Sequence, residues 1–374
     1  MGSFAEVGGQ HAGRVADALV HPPARVAARG AARDTRTMPP ADAPLPTTWE
    51  DPRADALRAQ PVWARWWYAL KPASWPKLLV PAVLGQAAGV AHAGGAHIDG
   101  LLLGATFTLA LLGFIVLVND WSDADVDRVK RALYPRTCSP KTIPDGLLTR
   151  GALLGAGLGS LAVAIAAAFA LERALPRPLA GASALACAGV FIAYSLPPLR
   201  LNYRGGGELL EALGVGAALP CWNAYVQCGE GLPPPLRDVL PAFVCLSLGS
   251  ALASGLSDEV SDRRGGKRTF TTWLGNARVR SAVLGCTVVA AALFVLAPAW
   301  RALALGDEAS AALLAGGVGA VSCTVAAVRM RAVSAEAVTD AFPAQALFKQ
   351  RLHGAIWYGS VAVMITRALL MGRA

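Results

Sequence analysis

The chain has 374 residues, of which 54% are hydrophobic and only 16% charged, with mean hydropathy +0.44. Soluble domains carry about a quarter charged residues, so this composition excludes an ordinary soluble globule and points to a polytopic membrane protein. The net charge of +9 fits basic cytoplasmic loops, and no basic run is interleaved with aromatics as a nucleic-acid groove requires, so no nucleic-acid partner is expected.

Residues 1–60 are rich in Ala, Pro, Arg and Gly and hold no sustained apolar run, so they read as a disordered N-terminal tail, with a transmembrane domain over 61–374. Beyond the tail, apolar segments recur at 76–95, 99–118, 148–171, 179–197, 206–227, 239–257, 281–300, 309–328 and 354–372. Each approaches the roughly 20 residues that a spanning helix needs. The expected fold is therefore all-α, with nine transmembrane helices. Arg367 falls near the end of the ninth, where a long side chain can snorkel to the interface.

The connections after the even-numbered helices hold eighteen Lys and Arg, and those after the odd-numbered helices hold four. By the positive-inside rule the first set, with the N-terminus, is expected to be cytoplasmic, in a bacterial inner membrane. None of the seven cysteines forms a CxxC pair, and no His–Cys cluster has zinc spacing.

Two acidic stretches interrupt this pattern on the same expected side. After the second apolar segment comes "NDWSDADVD", with Asn119, Asp120, Asp123, Asp125 and Asp127. After the sixth comes "SDEVSD", with Asp258 and Asp262. A calcium loop of the EF-hand kind needs Gly at its sixth position and Glu at its twelfth. Counted from Asp123, those positions are Arg128 and Tyr134, which excludes it. Asp120, Asp123 and Asp127 instead stand at i, i+3 and i+7, one face of a helix if the second helix continues. Asp125 lies off that face. Spaced carboxylates hold Mg²⁺ when a ligand's phosphates supply the remaining oxygens, and nearby Lys and Arg neutralise such a ligand. A lipid-soluble diphosphate matches both the charges and the bilayer.

These residues resemble the UbiA superfamily of intramembrane prenyltransferases. "NDWSDADVD" fits its NDxxDxxxD motif, "DEVSD" its second DxxxD motif, and "GGKRT" its usual Gly-Lys-x-Thr ending. "KPASWPKLLVPAVLGQAAG" is similar to its first helix and "YSLPPLRLNYRGGGELLEALGVG" to its helix 4–5 connection, so the likeness covers residues 68 to 372. The resemblance implies nine helices around a central cavity and transfer of a prenyl chain from a prenyl diphosphate to an aromatic acceptor. It implies one Mg²⁺ at Asp120, Asp123 and Asp127 and a second at Asp258 and Asp262, the same five residues being catalytic. Asn119 would orient the diphosphate; Lys130, Arg131, Arg136 and Lys267 would contact phosphate; Tyr194 and Tyr203 would line the acceptor side. The run "VKRALYPRTCSPKTIPDG" departs from the RxxxRPL of the ubiquinone and haem branches, while the second motif leans toward the menaquinone branch, which prenylates 1,4-dihydroxy-2-naphthoate. Against that branch, Lys71 stands where Arg is usual. The alternatives are a prenyltransferase of specialised metabolism acting on a phenolic or quinolone ring, a terpene cyclase of the same superfamily, and a secondary transporter. A transporter would place its charges near the bilayer midplane rather than at helix mouths. No His is near either motif in sequence, so a His base is not expected.

Overall fold

The computed structural model describes residues 45–305 and 308–371. They are helical, and the one β-type contact among them is an isolated bridge between Arg204 and Arg268. In chain order the helices are α1 (Pro52–Arg58), α2 (Val62–Ala69), α3 (Pro76–Ala93), α4 (Ile98–Leu133), α5 (Arg150–Ala174), α6 (Ala180–Ser195), α7 (Leu201–Arg204) and α8 (Gly207–Leu213). They continue with α9 (Leu219–Cys228), α10 (Pro234–Ser254), α11 (Glu259–Arg264), α12 (Phe270–Leu274), α13 (Asn276–Leu305), α14 (Glu308–Ser334), α15 (Phe342–Gly354) and α16 (Ser360–Met371). A π-helical turn, Gly214–Ala218, joins α8 to α9, and another, Ala355–Gly359, joins α15 to α16.

Six of these rods are long and apolar enough to cross a bilayer: α4, α5, α8–α9, α10, α13 and α14; α6 is apolar but shorter. The chain is thus an integral, multi-pass membrane protein. Its outward faces carry Leu102, Leu109, Val163, Val288, Val321 and Ile365, all exposed, as a surface that meets lipid tails must. Lipid offers no hydrophobic reward for helix association, so close packing supplies it. Gly85 and Gly89 show this: a Cβ there would strike the carbonyl oxygens of Pro220 and Ala224, so α3 lies directly on α9. One apolar core joins α4, α5, α6 and α9 around Phe107, Phe114 and Trp222. A second joins α10, α13, α14 and α15 around Phe243, Phe294 and Phe348.

Three sequence expectations change. Residues 45–60 do not belong to a disordered tail: Asp51 caps α1 and is buried, because its carboxylate takes the guanidinium of Arg131 at 3.0 Å. Residues 1–44, the rest of that expected tail, lie outside the described residues. The second apolar segment does not stop near residue 118. It runs to Leu133 as α4, since no Gly or Pro occurs between Phe114 and Leu133 and Lys130 and Arg131 sit in its last turn, where cations suit the helix dipole. Arg367 does not snorkel: it is buried and ion-paired with Asp238 of α10.

Candidate active site

The unbroken α4 stacks Asn119, Asp120, Asp123 and Asp127 along one rod. The second motif is built differently. After α10, a 3₁₀ turn, Gly255–Ser257, bends the chain, and α11 begins just beyond Asp258 with Asp262 one turn later. Thr269 then closes a capping box on α12, bonding the Thr272 N–H at 3.2 Å while Thr272 Oγ1 accepts from the Thr269 N–H at 2.9 Å. This anchors the loop that carries Lys267.

The two motifs meet through crossed ion pairs. Lys130, from the first motif's helix, pairs with Asp258 of the second. Lys267, from the second motif's loop, donates to Asp123 of the first at 3.0 Å. Lys71 pairs with Asp120, whose other oxygen accepts from Thr142 Oγ1 at 2.7 Å. Lys141 lies 2.7 Å from Asp127. Four carboxylates are thereby neutralised by four lysines from other parts of the chain. The lysine Lys71 takes a left-handed backbone (φ 49°), a conformation that costs a non-glycine residue about 1–3 kcal/mol and is tolerated where the fold over-determines it.

Burial alone would raise the Asp258 carboxyl, but the ammonium groups of Lys130, Lys141 and Lys349 outweigh it and hold the group well below the usual carboxylate range. Asp262 goes the other way. Burial raises it, Lys267 offsets part of that, and Asp258 and Asp123 push further, up to about 8. Lys267 is raised well above its ordinary value, since Asp123 and Asp262 overcome the opposing effect of burial. The neighbouring lysines therefore do not fully compensate a charge on Asp262, whose carboxyl is biased toward its protonated form.

A cavity of about 360 Å³ opens beside these pairs. At its charged end are Asn119, Asp123, Asp258, Asp262 and Lys267. Its apolar wall is Leu78, Ile115, Val116, Phe191 and Val215, the last carried by the π turn between α8 and α9. Lys71, Lys77, Tyr194, Glu208 and Glu211 are also among the lining residues, with Lys77 ion-paired to Glu211.

Several expected site residues fall elsewhere. Asp120 and Asp127 belong to the lysine network but do not line the cavity, and neither does Lys130. Arg131 is wholly buried at the C-terminal end of α4, donating to Asp145, Asp51 and the Pro135 carbonyl, and does not line the cavity, so it is not placed to meet phosphate. Arg136 is exposed on the following loop, away from the cavity. Tyr203 does not line the cavity; it donates to the Ser122 carbonyl at 3.1 Å, lies against Asp123 and carries Lys267 over its ring at 5.2 Å, so it backs the site from behind. Asp125, off the common face, is exposed and pairs with Arg128 and Arg150 at 3.4 Å. Asn119 donates to Asp123 at 3.3 Å.

Sequence reasoning missed Lys77, Glu211 and the role of Lys71, because their partners lie far away in the chain. It also missed His353, which meets Ser250 Oγ at 3.2 Å in a small pocket that shares Lys77 with the main cavity.

Two acidic motifs from separate membrane rods, joined by lysines beside one cavity, define a polytopic helical membrane protein with a charged site next to an apolar chamber. Its family is the UbiA prenyltransferase family, whose profile matches residues 78–352; the chain belongs to it. Among curated relatives it is 26% identical to a chloroplastic chlorophyll synthase of Oryza sativa over 55% of this chain and 54% of that one. It is 29% identical to the 1,4-dihydroxy-2-naphthoate octaprenyltransferase of Mycobacterium tuberculosis over 65% of this chain and 82% of that one. The match thus spans about half the length of the chlorophyll synthases (54%). The fold is similar to that of a UbiA homologue from Archaeoglobus fulgidus bound to GPP and Mg²⁺, with TM-score 0.56 and 16% identity over 78% of this chain and 99% of that one. A UbiA homologue from Aeropyrum pernix gives TM-score 0.53 at 16% identity over 79% and 97%.

Proposed function

We propose that this protein transfers a prenyl group from a prenyl diphosphate to an aromatic acceptor, with 1,4-dihydroxy-2-naphthoate or a related quinone precursor as the acceptor. The observation that carries the reading is the cavity itself, where Asp123, Asp258, Asp262 and Lys267 face an apolar wall. A diphosphate head matches the first end and a prenyl chain the second. The naphthoate-specific relative, matched over 82% of its length, favours that acceptor. The excess of basic residues in the even-numbered connections supports a cytoplasmic mouth and a bacterial inner membrane.

The donor set fits a hard cation. One oxygen of Asp123 is buried without a hydrogen-bond partner. Among the described residues no three His, Cys, Asp or Glu side chains converge closely enough to hold an ion alone. That is the pattern expected for Mg²⁺, which takes one or two carboxylates and completes its shell with water and substrate phosphate. Of Asp120, Asp123 and Asp127, one or two would ligate one ion directly, with the others held beside it by their lysines, and Asp258 and Asp262 would hold a second. Bound Mg²⁺ supplies Lewis-acid stabilisation of the leaving diphosphate.

The protein's own groups do the rest. Lys267 and Lys130, released from their carboxylates, compensate charge that grows on the diphosphate as the allylic C–O bond breaks and its electron pair leaves with oxygen. Asn119 orients the head group. Leu78, Ile115, Val116 and Phe191 keep water from the allylic cation. A ring carbon of the acceptor forms the new C–C bond, and loss of its proton, or of its carboxyl group in the naphthoate case, restores aromaticity.

The test is to incubate purified protein with Mg²⁺, prenyl diphosphates of several lengths and a panel of acceptors, read by mass spectrometry. Prenylated naphthoate is expected. A prenylated phenol or quinolone alone would move the acceptor assignment, and no product with any acceptor would remove the reading.

A further inference from the structure

Asp145 lies in the loop between α4 and α5 and is not part of either acidic motif. It is nevertheless 3% exposed and its carboxylate collects donors from three directions. Trp49 Nε1 donates at 2.7 Å, Arg131 Nε and Nη2 at 3.1 and 3.0 Å, and the backbone N–H of Lys141 at 2.5 Å. The segment before the first membrane helix is tied to the same loop at further points. Arg53 donates to the Cys138 carbonyl at 2.9 Å, Tyr68 to the Pro140 carbonyl at 2.9 Å, and the Arg131 guanidinium packs over the Trp49 ring at 5.7 Å. The loop so held is the one that delivers Lys141 to Asp127 and Thr142 to Asp120.

We infer that residues 49–58 form a strap, and that Asp145 is a positioning residue which, through Lys141 and Thr142, sets the orientation of Asp127 and Asp120 for the diphosphate–metal site. This rests on the reading of those aspartates under Proposed function. The physical reason is geometric. A carboxylate on α4 can rotate about its side-chain bonds unless a partner held in place by the rest of the fold restrains it. Thr142 and Lys141 fix two of them, and they are adjacent residues of an irregular loop whose own course depends on Asp145. Groups one bond removed from a metal ligand commonly change ion affinity as much as some ligands do.

The experiment uses the full chain in detergent and compares wild type with Asp145→Asn, Trp49→Phe and a control, Arg177→Ala. Arg177 bonds the Val226 and Gln227 carbonyls, outside the candidate site, so the control measures general loss of stability. Three readings are taken: calorimetric binding of inorganic pyrophosphate with Mg²⁺, hydrogen exchange over residues 134–149, and the melting temperature. Asp145→Asn is expected to weaken Mg²⁺-dependent pyrophosphate binding about tenfold and to speed exchange over 134–149. Trp49→Phe, which removes one donor and keeps a ring under Arg131, should do both to a smaller degree. Arg177→Ala should lower the melting temperature without changing binding. Faster loop exchange with unchanged binding in Asp145→Asn would overturn the positioning role and leave the proposed function standing. A wild-type protein that binds no pyrophosphate with Mg²⁺ would overturn both. Equal weakening by Arg177→Ala would reduce the effect to stability and also overturn the inference.

Discussion

Lys267 holds its ammonium 3.0 Å from Asp123 although 144 residues separate them in the chain. The reciprocal pair, Lys130 with Asp258, spans 128 residues in the opposite sense. Each motif thus lends a lysine to the other. Carboxylates that would repel one another are held together by these crossed pairs, and of the two lysines Lys267 lines the cavity.

Removing a carboxylate from this arrangement should stop the chemistry without unfolding the protein. Asp123→Ala or Asp258→Ala is expected to lower turnover by about two to three orders of magnitude, the scale on which preorganised charge acts in a dry site. The melting temperature in detergent should change little for Asp123→Ala, since Lys267 lines the cavity and can turn into it, and should fall more for Asp258→Ala, which leaves the buried Lys130 without its carboxylate. Full activity in both variants would exclude the site.

A chelator distinguishes a metal-assisted reaction from one run by lysines alone. EDTA should abolish product formation and added Mg²⁺ should restore it, measured by mass spectrometry of the prenylated acceptor. Turnover that persists in EDTA would remove the cation from the mechanism.

Arg131 and Arg136 are five residues apart in one basic run yet should behave as opposites. Arg131→Ala leaves Asp51 and Asp145 buried without their guanidinium, a loss on the scale of about 3–5 kcal/mol for a broken buried pair. It should appear as poor recovery and a lower melting temperature. Arg136→Ala, on an exposed loop, should leave both stability and the KM for prenyl diphosphate near wild type. A selective rise in that KM for Arg136→Ala would return this arginine to the phosphate site.

The Arg367–Asp238 pair ties α16 to α10 inside the apolar region. Arg367→Met alone should destabilise by roughly 3–5 kcal/mol, because Asp238 loses its countercharge in a low-dielectric setting. Arg367→Met with Asp238→Leu should recover most of that loss, since no charge is then buried. Thermal unfolding of the three variants in detergent reads the difference, and strictly additive losses would rule out the coupling.

Membrane class, the positions of six long apolar rods and the face formed by the first acidic motif were legible in the residues alone. Each depends on interactions within a few turns: hydropathy summed over a segment, and the i, i+3, i+4 and i+7 spacing that places Asp120, Asp123 and Asp127 on one face of α4. Partner choice was not legible in this way. Arg131 and Lys130 are neighbours, but the turn of the helix sends one to Asp51 and Asp145 and the other to Asp258. Lys71, Lys77, Lys141 and Asp145 lie outside the two acidic motifs, and their pairings arise only when α3, the loop after α4 and the cavity wall are brought together. Charge pairing acts over a few ångströms in space and is indifferent to distance along the chain. Local pattern therefore determined what kind of site this protein carries, while the packing of the helices decided which side chains complete it.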